Sequence, residues 1–245
     1  MSRQFSRTSS QRLTRSGTPV TNVPLSMACW FWTANGDNAK DLMCIGSSTD
    51  NANYIIRANT NEQIQACTYG GGANGNPLAA GNFSLETWNH ACGVWEAEDA
   101  RVAFLNGAVG FQNTNSVTVP NQDMVGLASY IWHNNFGNYW DGYLAEAAIW
   151  NVALSEDEVA VLAAGYSPLF VRPGSLVAYW PLIRDEDQDK VGGYDLTAYN
   201  SPTIAAHPPI IYPAQPYIVT APSGGTQPPI ISIPVFMRHF RNLRI

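Results

Sequence analysis

Hydrophobic and polar positions alternate along most of the first two hundred residues, with the two-residue period of a β-strand. In residues 143–150, YLAEAAIW, the alternation places Ala147 and Ile149 on one face and Glu146 and Trp150 on the other, and Glu146 marks the more solvated face. Further strands are predicted at residues 5–13, 20–32, 41–46, 54–58, 63–69, 87–95, 102–105, 124–128 and 175–182. Short strands separated by turns such as Asn106-Gly107 favour a sandwich.

One segment carries a helical pattern instead. Ser155 stands three residues before Glu158, which is the spacing of a capping box. Val159 and Leu162 then form an apolar stripe that stops at Gly165. We predict a short helix over residues 155–164.

The composition changes after Asn200. Nine of the 16 prolines lie between Pro202 and Pro234, interleaved with Ile, Val, Tyr and Phe. Proline removes backbone donors, which predicts an extended arm over residues 201–245 after a sandwich over residues 1–200. Since a disordered linker would lack apolar residues, we expect the arm to pack on another subunit or on its own domain. The candidate contact residues are Ile210, Ile211, Tyr212, Ile230, Ile231, Phe236, Arg238, Arg241 and Arg244.

Three stretches resemble laminin-G-like, concanavalin A-like jelly-roll domains. They are PLSMACWFW at residues 24–32, TWNHACGVWEAEDARVAFLNGAVG at residues 87–110 and WDGYLAEAAIWNVALSEDEVAVLAAGYSP at residues 140–168. The resemblance implies an all-β fold, a two-sheet antiparallel jelly-roll sandwich with one short helix. Because such domains serve many functions, it indicates architecture better than activity.

Basic residues are concentrated at the two ends of the chain. The first 36 residues carry four Arg and the last 50 carry three, whereas the segment between them has six basic residues against all 19 acidic ones, a net charge of −13. This asymmetry suggests that the ends contact an acidic surface, unless they are solvated tails. The basic residues are too few and too scattered for nucleic-acid recognition, and no apolar run reaches membrane-spanning length.

The four cysteines, Cys29, Cys44, Cys67 and Cys92, lie in apolar, strand-like contexts without C-x-x-C spacing. We expect free buried thiols, with disulfides between neighbouring strands as the alternative. The first 17 residues contain no apolar stretch of the kind found in a secretion signal.

No catalytic constellation is complete. The concanavalin A-like fold includes glucanases that carry carboxylates along one strand face, but here Glu96 and Glu98 have no third carboxylate beside them. His90 is interpreted as a packed strand residue. The sequence therefore predicts a protein that is not an enzyme and has no cofactor, apart from a weak calcium candidate.

Two loops are candidate binding features. Residues 47–53, SSTDNAN, offer Asp50, Asn51 and Asn53 as oxygen ligands for calcium, which some laminin-G-like domains bind. Residues 131–141, IWHNNFGNYWD, interleave aromatic rings with amides, as a sugar-binding surface requires. The carbohydrate candidates in that loop are Trp132, His133, Asn134, Asn135 and Tyr139.

These features favour binding or assembly. Residues 5–213 resemble laminin-G-like proteins encoded among phage structural genes, which implies a virion decoration or capsid-associated protein, assembled in the host cytoplasm. Its partners would then be other virion proteins and further copies of the chain, with no nucleic acid or membrane. The alternative is a carbohydrate-binding, lectin-like module with a surface glycan as its partner.

Overall fold

Two antiparallel sheets packed face to face make up the part of the chain that the computed structural model describes, residues 1–36 and 40–213. The strands of the first half are β1 (Ser2–Phe5), β2 (Arg12–Ser16), β3 (Leu25–Trp32), β4 (Lys40–Gly46), β5 (Asn53–Ala58), β6 (Ile64–Gly70), β7 (Ala73–Gly75), β8 (Asn89–Ala97) and β9 (Ala100–Leu105). Those of the second half are β10 (Ala108–Val109), β11 (Met124–Leu127), β12 (Tyr130–Trp132), β13 (Asn135–Gly137), β14 (Gly142–Trp150), β15 (Leu176–Trp180), β16 (Thr197–Tyr199) and β17 (Thr203–Ala205). The helix α1 spans Glu156–Ala163.

The first sheet has the strand order β10-β9-β8-β3-β14-β1-β17, and β15 pairs with the second half of β14. The second sheet has the order β16-β2-β11-β4-β5-β6-β7, while β12 and β13 form a separate hairpin. The predicted all-β, two-sheet jelly roll is therefore confirmed. The strand predicted at residues 5–13 is in fact two strands, β1 and β2, because the chain turns at Ser10 and crosses from one sheet to the other.

Three apolar layers result from this arrangement. The inner faces of the two sheets enclose the main core, which includes Ile45, Ile56, Trp95, Ile149 and Trp180. A second cluster fills the space between the outer face of the first sheet and α1, and a third lies between the outer face of the second sheet and the β12–β13 hairpin. All four cysteines are buried as free thiols.

The helix forms as its sequence predicts. The Ser155 hydroxyl accepts a hydrogen bond from the Glu158 backbone N–H at 3.3 Å, and the Glu158 carboxylate accepts one from the Ser155 N–H at 2.8 Å. Val159 and Leu162 are buried against the first sheet, and Gly165 takes a φ of +90° just beyond the helix. The helix termini are thus decided by local chemistry. In residues 1–36 and 40–213, no helix has the length and apolarity needed to cross a membrane.

The predicted faces of β14 are only partly correct, because Glu146 sits at a bulge with a φ of +53°. Leu144 and Ala147 consequently both face the main core, whereas Trp150 faces α1. Glu146 is only 2% exposed, so the expectation that it marks a solvated face is wrong.

The buried Glu146 carboxylate has three neighbours. The hydroxyls of Tyr179 and Tyr212 each donate to it at 2.7 Å, and His207 Nε2 lies 3.3 Å from Oε1. Two of the three come from residues 201–213, so the carboxylate holds this segment against the outer face of the first sheet. Hydrogen bonds to a charged acceptor are stronger than neutral ones.

Residues 201–213 belong to the compact unit Met1–Pro213, although the sequence places them in the arm. The strand β17 pairs with β1, and the Ile211 N–H donates to the Gly165 carbonyl at 2.8 Å. Of the candidate arm residues, Ile210, Ile211 and Tyr212 thus lie on their own sandwich, which was the second of the two alternatives. The other candidates, Ile230, Ile231, Phe236, Arg238, Arg241 and Arg244, lie outside the described residues.

Candidate functional site

A cleft of about 360 Å³ opens on the outer face of the second sheet, beside the β12–β13 hairpin. Residues from two strands, one loop and the hairpin line it: Asn51, Asn53, Ile55, Arg57, Tyr69, Tyr130, Trp132 and Asn138. We refer to this surface as the cleft. Its volume is that of a small-ligand site.

The floor of the cleft follows from strand alternation. Asn53, Ile55 and Arg57 are two residues apart on β5, so their side chains share one face. Tyr69 stands directly opposite Asn53 on β6 and completes the floor. Tyr54 and Ile56, which alternate with Asn53, Ile55 and Arg57 along β5, face inward and belong to the main core.

The hairpin sits close to the sheet because Ile131 packs between Cys44, Ile55 and Cys67. Gly46 makes this approach possible, since a Cβ at that position would lie 2.8 Å from the Cβ of Ile131. Tyr130 and Trp132, on either side of Ile131, line the cleft. The Trp132 side chain is 43% exposed, so its ring is available to a ligand.

An ion pair borders the cleft. Arg57 Nε donates to Asp41 Oδ1 at 2.5 Å and Nη2 donates to Oδ2 at 3.1 Å, which is a bidentate geometry. Burial raises the pKa of the Asp41 carboxyl, and Arg57 opposes this effect. Burial alone would lower the pKa of Arg57, but the charge and hydrogen bonds of Asp41 raise it above its ordinary value. The guanidinium therefore stays charged with its charge balanced locally.

Asn138 fastens the hairpin to this ion pair. Its side-chain amide donates to Asp41 Oδ2 at 3.2 Å, and its carbonyl accepts the Asp41 backbone N–H at 2.9 Å. On the other side of the guanidinium, Nη1 donates to the Tyr69 hydroxyl at 2.9 Å. These bonds fix the positions of three lining side chains without help from a ligand.

Asn53 carries the feature that points most directly to a ligand. Its side chain is 3% exposed, and its Nδ2 donates to the Ile131 carbonyl at 3.2 Å, which sets the orientation of the amide. The other amide atom, Oδ1, has no hydrogen-bond partner among the described residues. Buried acceptors are nearly always paired, so an unpaired one in a residue that lines the cleft marks a place where a further donor group is expected.

The structure divides the predicted carbohydrate residues. Trp132 lines the cleft, and His133 packs against its ring edge with the centroids 6.3 Å apart. Asn134 and Asn135 are exposed at the hairpin turn, and the Tyr139 hydroxyl donates to the Phe136 carbonyl at 3.2 Å. Of the five candidates, only Trp132 is therefore part of the cleft lining.

The predicted calcium loop contributes to the same cleft in a different way. Asn51 and Asn53 line it, whereas Asp50 turns away and accepts hydrogen bonds from Asn121 at 2.9 Å and Thr49 at 2.8 Å. These bonds lower the pKa of the Asp50 carboxyl. Within residues 1–36 and 40–213, no three His, Cys, Asp or Glu side chains are grouped to hold a metal ion. Calcium binding stays a prediction.

Sequence reasoning missed Arg57, Tyr69 and Tyr130. The two-residue spacing of Asn53, Ile55 and Arg57 was a usable signal for a shared face. Nothing local, however, shows that the face borders the hairpin more than 70 residues further along the chain. The carboxylates considered for catalysis lie elsewhere, since Glu96 is exposed on β8 of the first sheet and Glu98 accepts a hydrogen bond from Thr118 at 3.0 Å.

The fold and the cleft can now be compared with known proteins. The sequence model of the concanavalin A-like lectin/glucanases superfamily, a laminin-G-type model, matches residues 6–160, more than half of the 245 residues. The chain belongs to this superfamily. A search of curated protein sequences finds no match.

Solved structures of the same superfamily fold resemble this member at low sequence identity. A Bacteroides ovatus protein named as a candidate carbohydrate-binding protein matches with a TM-score of 0.62 and 16% identity, over 86% of this chain and 61% of that one. This chain thus spans less than two thirds of that protein. A heptameric SAP-like pentraxin from Limulus polyphemus matches at 0.49 and 16%, over 62% and 74% of the two chains. The CBM40 of a Ruminococcus gnavus IT-sialidase matches at 0.48 and 11%, over 62% and 98%.

Proposed function

We propose that this superfamily member is a non-catalytic carbohydrate-binding domain whose ligand occupies the cleft. The observation that carries the proposal is the unpaired, buried Oδ1 of Asn53 beside the exposed ring of Trp132. A pyranose offers both complements, an apolar ring face and hydroxyl donors. The arrangement of aromatic surface with a few placed polar groups is that of a small-ligand site.

The charge of the cleft favours a neutral saccharide. Among the described residues that line the cleft, Arg57 is the one with a charged side chain, and Asp41 already balances it through two hydrogen bonds. An anionic sugar would compete with the buried Asp41 carboxylate for the Arg57 guanidinium. Neutral hydroxyls, in contrast, can use Asn51, Asn53 and Asn138 without disturbing the pair.

The same geometry argues against hydrolysis. Glycosidases of the common type place two carboxyl groups on either side of the scissile bond, about 5 to 10 Å apart. Among the described residues that line the cleft there is no carboxylate, and the nearby Asp41 is engaged by Arg57 and Asn138. The name of the Bacteroides ovatus protein agrees with binding, although the likeness itself concerns the fold.

A glycan array followed by titration calorimetry on the strongest neutral glycan tests the proposal. Trp132→Ala should weaken binding about tenfold or more, because truncating a central aromatic contact costs at least about 1.4 kcal/mol. The matched control is Phe111→Ala, since Phe111 is 91% exposed and lies outside the cleft. An array without a bound glycan, or equal affinities for the Trp132 variant and the intact chain, would overturn the proposal.

The sequence-based virion hypothesis is a second candidate, and it includes the assembly role and the predicted location. Its basis is the resemblance of residues 5–213 to laminin-G-like proteins encoded among phage structural genes. The basic, proline-rich end of the chain, of which residues 214–245 lie outside the described part, fits such a role. Neither the superfamily nor the three solved structures above is described as a virion component. Mass spectrometry of purified particles from the source phage or host culture, searched for this chain, tests the hypothesis directly.

A further inference from the structure

The eight tryptophans divide into two groups. Trp95, Trp140, Trp150 and Trp180 are fully buried, and three of their four indole N–H groups donate to protein acceptors, as in the bond from Trp95 to Thr68 at 2.7 Å. The other four are partly exposed: Trp30, Trp32, Trp88 and Trp132. Trp132 belongs to the cleft, so three remain to be explained.

These three lie together on the outer face of the first sheet, with Tyr143. Trp32 and Tyr143 are direct cross-strand partners whose rings stack with centroids 4.4 Å apart and an interplanar angle of 9°. The Trp88 ring lies 6.2 Å from that of Tyr143. Trp30, two residues before Trp32, points to the same face. We call Trp30, Trp32, Trp88 and Tyr143 the outer aromatic cluster.

The residues that lead into helix α1 lie far from Trp32 on this face. Val152 and Leu154, just before α1, are anchored at the opposite end of β3. There the Ser26 hydroxyl donates a hydrogen bond to the Val152 carbonyl and accepts one from the Leu154 N–H. Trp32 lies six positions after Ser26 on the same strand, a distance of about 20 Å. Among the described residues, the indole N–H groups of the three tryptophans and the Tyr143 hydroxyl make no hydrogen bond to protein, so these polar groups are free to pair with a ligand.

Polar side chains extend the cluster across the sheet. The cross-strand register aligns Trp32 with Tyr143, Tyr143 with Gln4 and Gln4 with Thr203. Gln4 and Thr203 are both exposed, and their side-chain oxygens lie 3.3 Å apart. Two aromatic rings are thereby continued by an amide and a hydroxyl in one row that crosses four strands.

The cluster is uncharged on a chain with a net charge of −6. Its row contains no acidic or basic side chain. The neighbouring His90 packs edge-on against Trp30 with the centroids 5.5 Å apart, and burial lowers its pKa to about 3, so it is neutral as well. Elsewhere Arg12, Arg15 and Arg57 each cover an aromatic ring, but among the described residues no arginine or lysine covers a ring of the cluster. This charge pattern matches a neutral ligand.

We infer that the outer aromatic cluster is a second saccharide-binding surface, which takes an extended, neutral polysaccharide chain. Aromatic rings with free N–H and O–H groups suit the alternating apolar faces and hydroxyls of such a chain. The inference takes its ligand class from the proposed function, but the surface is on the opposite sheet from the cleft.

Affinity electrophoresis of the full chain in gels containing soluble xylan, mixed-linkage β-glucan or mannan tests the inference. Three variants are compared with the intact chain: Trp32→Ala with Trp88→Ala, Trp132→Ala, and the exposed control Phe111→Ala. The Trp32/Trp88 variant should bind the retarding polysaccharide about tenfold or more weakly than the Phe111 control. Equal retardation of the Trp32/Trp88 variant and the control would overturn the inference.

The two proposals fail in distinguishable ways. Loss of retardation in the Trp132 variant alone leaves the cleft as the site and overturns the second surface. Loss in the Trp32/Trp88 variant alone supports the second surface, and the glycan array then decides whether the cleft binds a glycan. If none of the three polysaccharides retards the intact chain, the second surface is overturned. The glycan array remains the test of the cleft.

Two further measurements exclude other causes. Sedimentation velocity compares the intact chain with the Trp32/Trp88 variant, and a dimer that dissociates in the variant would show a contact between copies and overturn the inference. If the double variant does not fold, Trp88→Ala alone carries the test, because Trp88 lies just before β8 and outside its ladder. That variant should still lose at least threefold in affinity, and unchanged affinity would overturn the inference.

Discussion

The outer faces of the two sheets each bury one carboxylate, but they close around it differently. On the first sheet, Glu146 accepts hydrogen bonds from the hydroxyls of Tyr179 and Tyr212 and is sealed by residues 201–213. On the second sheet, Asp41 pairs with Arg57, whose guanidinium borders an open cleft. Two tyrosine hydroxyls and the His207 ring thus cover Glu146, whereas the guanidinium beside Asp41 keeps its surroundings polar and open to water or a ligand.

The difference shows that the two outer faces of one sandwich are covered to different extents. Apolar residues such as Trp150 and Leu162 fill the space between the first sheet and α1. In the described part of the chain, a short hairpin seated through Ile131 covers part of the second sheet, and the cleft opens beside it. Four predictions test this contrast, from the largest expected effect to the smallest.

Asp41→Asn should lower the free energy of unfolding by about 3 kcal/mol, because it leaves Arg57 without its counter-charge. The expected cost is near the lower end for a broken buried pair, since Arg57 borders the cleft and water reaches it. Urea denaturation at pH 7 measures the change, and the exposed Asp99→Asn is the control. A loss below about 1 kcal/mol would show that the ion pair does not hold the cleft together.

His90 should make the stability fall as the solution becomes more acidic. Burial lowers its pKa to about 3, against about 6.5 in the unfolded chain, so protons favour the unfolded state between these values. From pH 6.5 to pH 5 this contribution is about 2 kcal/mol. The intact chain and His90→Gln are unfolded in urea at both pH values, and the variant should lack that part of the decline. Equal pH dependence in the two proteins would contradict the prediction.

Glu146→Gln should cost only about 1 kcal/mol, because the amide can still accept from one tyrosine hydroxyl and donate to the other. The two carboxylates would thus differ about threefold in their response to the same loss of charge. Chemical denaturation under the conditions used for Asp41→Asn gives the comparison. A cost equal to that of the Asp41 variant would mean that the contact between Glu146 and its partners, His207 included, depends on the charge of Glu146.

Ser155→Ala should lower the free energy of unfolding by about 1 kcal/mol through loss of the helix cap. The control is Ser84→Ala, because Ser84 is exposed and its hydroxyl makes no hydrogen bond among the described residues. Thermal unfolding of the two variants is compared with that of the intact chain. If the Ser155 variant is no less stable than the control, the cap contributes nothing to the cover on the first sheet.

Much of the fold could be predicted where the signal is local. The capping box of Ser155 and Glu158 depends on groups three residues apart, and the Asn106-Gly107 turn takes the positive φ angles that its residue types favour, +50° and +82°. Alternation likewise identified Ile149 as a core residue, and it is fully buried between the sheets. These features need no knowledge of distant parts of the chain.

The cleft could be predicted only in fragments. Trp132 was a sugar-binding candidate and Asn53 a calcium candidate, each from the composition of its own loop. The structure places both beside Arg57 and Tyr69 because the hairpin folds over β5 and β6. Such a pairing depends on strand order and register, which the local pattern does not contain.

The sequence by itself thus determined most of the strands, the capped helix and the buried cysteines, since each follows from periodicity or from neighbouring residues. The resemblance of three stretches to laminin-G-like domains indicated the superfamily. Tertiary structure decided which polar residues are buried and which rings stay exposed. Glu146 breaks the alternation of β14 through a bulge, and residues 201–213 return to cover it. Trp32, Trp88 and Tyr143 meet only because β3, β8 and β14 are neighbours in one sheet. Contacts between distant residues are set by the packing of whole elements, which no single stretch of the chain encodes.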